Sequence, residues 1–239
     1  LSACNKDFSC LKGFCPSFVT VEGGRRRRSS GDGPDPAELT AGLPAPEIPA
    51  LDRPYDLLVT GVGGTGVVTV GALVTMAAHL EGRGASVLDF TGFAQKFGPV
   101  LSYIRLAESP GAINQVRIDR GRAEAVIGCD IVVSSSQKAS VCYRRGTRVA
   151  LNSAEMPTGD IVRKRDASLR TLERERVIAE AVGPENVSGF DANRLAERLM
   201  GDSVYANVMM LGFAWQKGLV PCSLEALSRA IELNGVAVG

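Results

Sequence analysis

Histidine is all but missing from this chain of 239 residues: there is one, His79. A single imidazole excludes any metal site built on two histidines, HExxH among them. It allows a Ser-His-Asp site only if His79 is its base. A surplus of one charge is missing too. Lys and Arg number 27 against 26 Asp and Glu, a net charge of +1, which argues against a surface built throughout for nucleic acid or an acidic membrane. No apolar run approaches the ~18 residues that span a bilayer, and no charged-then-apolar leader opens the chain. The expected location is cytoplasmic, with neither membrane nor nucleic acid as a partner. What remains is an ordinary globular composition, 45% hydrophobic and 22% charged, able to bury a sizeable core. The chain starts at Leu1 and stops at Gly239 directly after a helical pattern, so both ends are read as cuts in something longer.

The six cysteines are unevenly placed. Cys129, Cys142 and Cys222 lie among apolar residues and read as core thiols. Cys4, Cys10 and Cys15 fall together, as Cys4-x5-Cys10-x4-Cys15-Pro16. Three thiolates this close converge on a metal or cluster more readily than on a disulfide. A proline after the last cysteine is a habit of iron–sulfur ligand runs, while zinc takes tighter pairs. Cluster, zinc and inert thiols all stay open at this point, and a four-thiolate site would need one more ligand. Residues 25–54 follow as a linker: Arg25-Arg26-Arg27-Arg28, then serine and glycine, then six of the 12 prolines between Pro34 and Pro54. Such a segment cannot pack a core. With no aromatic residue interleaved, the arginine run reads as solvated linker charge rather than a nucleic-acid arm.

A second domain, residues 55–239, opens with a β-prone run at 55–60, the turn Gly61-Val62-Gly63-Gly64-Thr65-Gly66, a helix over 67–81 and a strand over 85–90. This predicts a βαβ unit in a Rossmann-like α/β fold, a mostly parallel sheet with flanking helices. Glycines let the backbone turn tightly and approach a ligand, and the N–H groups of a helix start favour an anion, most often phosphate. The spacing GxGxxG, with Asp89 ending the next strand, matches a dinucleotide fingerprint in which Asp89 takes a ribose hydroxyl. NAD or FAD is therefore one candidate ligand. Gln95 and Lys96 sit on the next loop, Thr91 to Pro99, where such sheets bind ligands.

Further strands are expected over 100–106, 115–118, 129–135 and 147–152, the third with Asp130-Ile131-Val132-Val133 as its buried core. Helices are expected over 168–182, from Asp191 to Met200, from Asp202 to Lys217, and over 223–233. Met209, Met210, Phe213 and Trp215 read as core, and His79 as a packed or rim residue of the first helix.

Several separated runs carry a family resemblance. Ser2 to Cys10 with Cys15-Pro16-Ser17-Phe18, the glycine loop, Phe93-Ala94-Gln95-Lys96-Phe97-Gly98-Pro99, Gly201-Asp202-Ser203 with Ala206-Asn207, and Ala230 to Ala237 resemble the fused bacterial indolepyruvate ferredoxin oxidoreductases. The resemblance implies decarboxylation of aryl 2-oxo acids on thiamine diphosphate with Mg2+, electron transfer through a [4Fe-4S] cluster to ferredoxin, and an acyl group delivered to coenzyme A. It implies that residues 1–24 are the tail of the thiamine and iron–sulfur region, with Cys4, Cys10 and Cys15 as cluster ligands. Residues 55–239 would be a gamma-type domain cut short at its end. Gly61, Gly63, Gly64, Thr65, Gly66, Gln95 and Lys96 would bind coenzyme A, whose diphosphate suits the helix start as well as a dinucleotide's does. The thiamine motif is absent, since Gly31-Asp32-Gly33 lies in the linker and the next Asn is Asn114. No catalytic residue is therefore expected in this stretch, and the piece alone should be inactive. The partners implied are ferredoxin, the thiamine-binding remainder of the polypeptide, and further copies in a homo-oligomer.

Overall fold

The computed structural model describes residues 22–24, 40–91, 98–156 and 168–235. Cys4, Cys10, Cys15, Gln95 and Lys96 lie outside the described residues. Of the expected linker, 41–54 runs without helix or strand and is mostly exposed, with Leu51 packed on the core.

A six-stranded sheet forms the centre. Its strands are β1 (Tyr55–Val62), β2 (Gly84–Thr91), β3 (Pro99–Ala107), β4 (Ala125–Gly128), β5 (Arg148–Asn152) and β6 (Val187–Phe190). The helices are α1 (Val67–Leu80), the short α2 (Ile131–Ser134) and α3 (Gln137–Ser140), then α4 (Thr171–Val182), α5 (Ala192–Met200), α6 (Ala206–Gln216) and α7 (Leu224–Asn234). The strand order is β2-β3-β1-β4-β5-β6. β4, β5 and β6 extend β1 in parallel, whereas β3 runs antiparallel to both β1 and β2. The fold is thus mixed α/β. Five strands share one direction, as expected, but β1 and β2 are not neighbours, because β3 is inserted between them.

β1 is buried on both faces, which is why it reads as a continuous apolar run. Leu57 and Val59 face a core formed with α1, α6 and α7. Leu58 and Val62 face a second core formed with α2 and α4. The chain leaves β1 into α1 on the first face and leaves β4 into α2 on the second. The connections therefore diverge between β1 and β4, which makes the carboxyl end of that pair the switch point where open α/β sheets hold ligands.

Two expected strands are absent. Residues 115–118 form no strand. At 129–135 the strand ends earlier, at Gly128, and Asp130 starts a helical turn by accepting a hydrogen bond from the Val133 N–H at 2.8 Å. A capping carboxylate redirects an apolar run that β-propensity alone would extend. The expected helix starts at Asp191, Asp202 and Ser223 are all present, each side chain accepting from a backbone N–H of the following turn. Met210 is fully buried, and Met209, Phe213 and Trp215 pack partly buried against the same core.

Candidate functional site

The glycine turn lies at the carboxyl end of β1, where the strand must pass directly into α1. Gly66 stands just before α1 at φ 100°, a conformation L side chains rarely adopt, and no side chain among the described residues caps the helix start. The first N–H groups of α1 lack intrahelical partners by construction and point out of this end. Gly61 is required for packing: a Cβ there would lie 2.6 Å from Val67 Cγ2 and 2.9 Å from Cys129 Cβ. The turn itself is pinned. Gly63 donates its N–H to the Gly98 carbonyl at 2.7 Å, tying it to the start of β3. Thr65 Oγ1 donates to the Val62 carbonyl at 2.8 Å. Asn207, nearly buried at the start of α6, donates to the Thr65 carbonyl at 2.8 Å and to Thr65 Oγ1 at 3.1 Å.

Between this turn and the end of β4 lies a cavity of about 20 Å³, room for a water or two. Thr65, Asp130, Asn193, Ser203 and Asn207 are among its lining residues. Ser203 and Asn207 belong to the Gly201-Asp202-Ser203 and Ala206-Asn207 runs, so two of the separated sequence motifs meet here. Behind them the fully buried Asn152 joins three strand ends. Its amide donates to the Cys129 carbonyl and to Asn193 Oδ1, each at 2.9 Å, and its oxygen accepts from the N–H groups of Ala154 and Ala192 at 3.0 and 2.9 Å.

Asp130 is the titratable group at the site. It is 1% exposed, and its Oδ2 has no hydrogen-bond partner among the described residues. Burial pushes its carboxyl up to about 6, while the backbone N–H groups of Val133, Val132 and Val62 and the Arg174 guanidinium draw it back. Cys129 beside it is a buried thiol pushed up by desolvation, neither a ready nucleophile nor a ready metal ligand.

The expected ligand residues Gly61, Gly63, Gly64, Thr65 and Gly66 stand together at the helix start. Asp89 does not stand with them. It lies on β2, level with Ser102 of β3 and hydrogen-bonded to its hydroxyl. Two strand spacings, roughly 10 Å, separate it from β1, so the dinucleotide fingerprint is a spacing match without the geometry. The acidic residue beside the glycine turn is Asp130, which sequence reasoning assigned to a strand core. Its signal was the Gly-Cys-Asp step ending an apolar run, a helix-cap position. His79 is exposed in the last turn of α1, about 18 Å along the helix from the turn, and serves no chemistry there. Cys129, Cys142 and Cys222 are free, buried and apart, as core thiols. No group of three or more potential metal ligands occurs among the described residues, nor does a helix long and apolar enough to cross a membrane.

A model of the family described as Pyruvate ferredoxin/flavodoxin oxidoreductase (POR) matches residues 56–235. The chain is 26% identical over 182 residues to the "Indolepyruvate oxidoreductase subunit IorB" of Thermococcus kodakarensis, covering 76% of this chain and 87% of that protein. The protein of that name from Pyrococcus horikoshii matches equally, at 26% over 182 residues and the same coverage. Among solved structures, the pyruvate oxidoreductase subunit PORC of Thermotoga maritima superposes with a TM-score of 0.53 at 16% identity, over 77% of this chain and 86% of that one. The 2-oxoglutarate:ferredoxin oxidoreductase of Magnetococcus marinus, solved with 2-oxoglutarate, coenzyme A and succinyl-CoA bound, superposes with a TM-score of 0.55 at 14% identity. That match covers 79% of this chain and 28% of that one.

Proposed function

Because this chain belongs to the pyruvate ferredoxin/flavodoxin oxidoreductase family, we propose that it is the gamma-type part of an enzyme that oxidises aryl 2-oxo acids of the indolepyruvate type. The products are carbon dioxide and an acyl-CoA, with two electrons passing through iron–sulfur centres to ferredoxin. The uncapped α1 start at the β1/β4 switch point carries this reading, because it offers free N–H groups to an anion without a side chain in the way. Gly61, Gly63, Gly64, Thr65 and Gly66 hold the coenzyme A diphosphate there, with Gln95 and Lys96 of the following loop as further contacts. The relatives named as indolepyruvate oxidoreductase subunits support the substrate class, and the Magnetococcus marinus enzyme is a neighbour in fold that holds coenzyme A.

Thiamine diphosphate, with Mg2+, supplies the decarboxylation chemistry and belongs to the rest of the enzyme. Residues 1–24, joined to the domain at 55–239 through the 25–54 linker, bring Cys4, Cys10 and Cys15 to a [4Fe-4S] cluster. The division of labour is physical: cofactors elsewhere do the bond breaking, and this domain presents the acyl acceptor. The insertion of β3 between β1 and Asp89 weighs against NAD or FAD at the same loop.

The test is Gly63→Val in the whole enzyme. A side chain at the turn blocks the backbone approach to phosphate. Acyl-CoA formation should fall at least tenfold through a higher KM for coenzyme A, with thiamine-dependent release of carbon dioxide largely kept. Equal loss of both would remove coenzyme A from this loop.

A further inference from the structure

Two independent observations meet at the start of α1. The first is the helix itself, 14 residues long and without a side-chain cap. The second is Asp130, which spends Oδ1 on the cap of α2 and leaves Oδ2 buried with no hydrogen-bond partner among the described residues. That oxygen lies 3.4 Å from the position a Cβ on Gly61 would take, and its residue lines the cavity below the glycine turn. A buried carboxylate oxygen left without a donor is costly and rare.

Three side-chain amides near it are already engaged. The Asn207 amide is bonded to Thr65, the Asn193 amide is turned to Met156 Sδ, and the Asn152 amide is used on Cys129 and Asn193. A ligand entering the cleft can supply the donor that Oδ2 lacks among the described residues. That donor cannot be the anion itself, since two negative groups do not share a dry site. It has to be an uncharged part of the same molecule carrying O–H or N–H.

Resting on the coenzyme A reading above, we propose that Asp130 is a ligand-binding residue that accepts a hydrogen bond from a hydroxyl or amide N–H of the ligand's uncharged arm. The site then takes a phosphate ester that bears such an arm and disfavours bare diphosphate. The α1 start supplies attraction for the anion, and Asp130 supplies selectivity for what is attached to it.

Calorimetric titration of the 239-residue chain with coenzyme A and, separately, with inorganic diphosphate tests this. Asp130→Asn and Asp130→Ser both retain an oxygen able to cap α2, so the fold is kept, and both remove the acceptor at Oδ2. The expected result is a Kd for coenzyme A raised about tenfold or more in both variants, with the Kd for diphosphate unchanged or lowered. Unchanged coenzyme A affinity, or equal weakening of both ligands, overturns the role of Asp130 and leaves the glycine-loop reading standing. Wild-type chain that binds neither ligand overturns that reading, and Asp130's role with it.

Discussion

Asp130 makes a quantitative prediction about stability. Its folded carboxyl is raised from an ordinary 3.8 to about 6, with burial as the leading cause. Between those values the native protein keeps a proton that the unfolded chain releases. Stability from this group is therefore complete below about pH 4 and is lost as pH rises through about 6. Two units at ~1.4 kcal/mol each give a loss of about 3 kcal/mol. Asp130→Asn removes the titration but keeps an oxygen for the Val133 N–H. Urea unfolding at pH 4, 5, 6 and 7.5 should show the wild type losing about 3 kcal/mol more than the variant across this range. Asp56, also raised to about 6 by burial against the pull of Arg105, titrates in both proteins and cancels from the difference. Parallel pH profiles for the two proteins would refute the reasoning, because they would mean the carboxyl is not desolvated.

Asn152→Ala should be among the most damaging polar substitutions. It leaves the Ala154 and Ala192 N–H groups unanswered in the interior, a cost of roughly 3 kcal/mol and a melting temperature lower by roughly 6–12 °C; a shift below 2 °C in a thermal scan would contradict it. Anaerobically prepared full-length enzyme should show the broad visible absorbance of an iron–sulfur cluster, diminished when Cys4, Cys10 or Cys15 becomes Ala. A colourless protein with stoichiometric zinc would count against the cluster.

Local signals in the sequence suffice where short-range physics decides. The run from Tyr55 through the glycine turn into α1 needs no tertiary information: an apolar strand, a turn only glycines can make, and a helix follow one another. The helix starts after Asp191, Asp202 and Ser223 are side-chain-to-backbone bonds within a few residues. What escaped depends on partners far along the chain. The antiparallel entry of β3 between β1 and β2 leaves no mark on the glycine spacing, which alone would set Asp89 beside a loop it does not reach. β6 is four residues with Ser188 and Gly189 inside it, too short and polar for a strand pattern. Asp130 was hidden inside an apolar stretch whose two halves belong to different elements. Asn207 belonged to a visible motif, but only packing of α6 against the turn shows what it holds.

β3 also has a kinetic consequence. β2 and β3 are consecutive in the chain and pair along their full length, so their contacts close a short loop at little entropic cost. The β1–β4, β4–β5 and β5–β6 pairings each wait for a crossover and are intrinsically slower. The proposed cleft draws on both sides, since β3 pins the glycine turn through Gly98, but it needs the slower β1–β4 pairing and the arrival of α6 with Asn207. A partly folded chain owns the hairpin but no cleft. Any ligand of this cleft therefore acts on the completed fold alone, and its binding energy is returned in full as added resistance to unfolding.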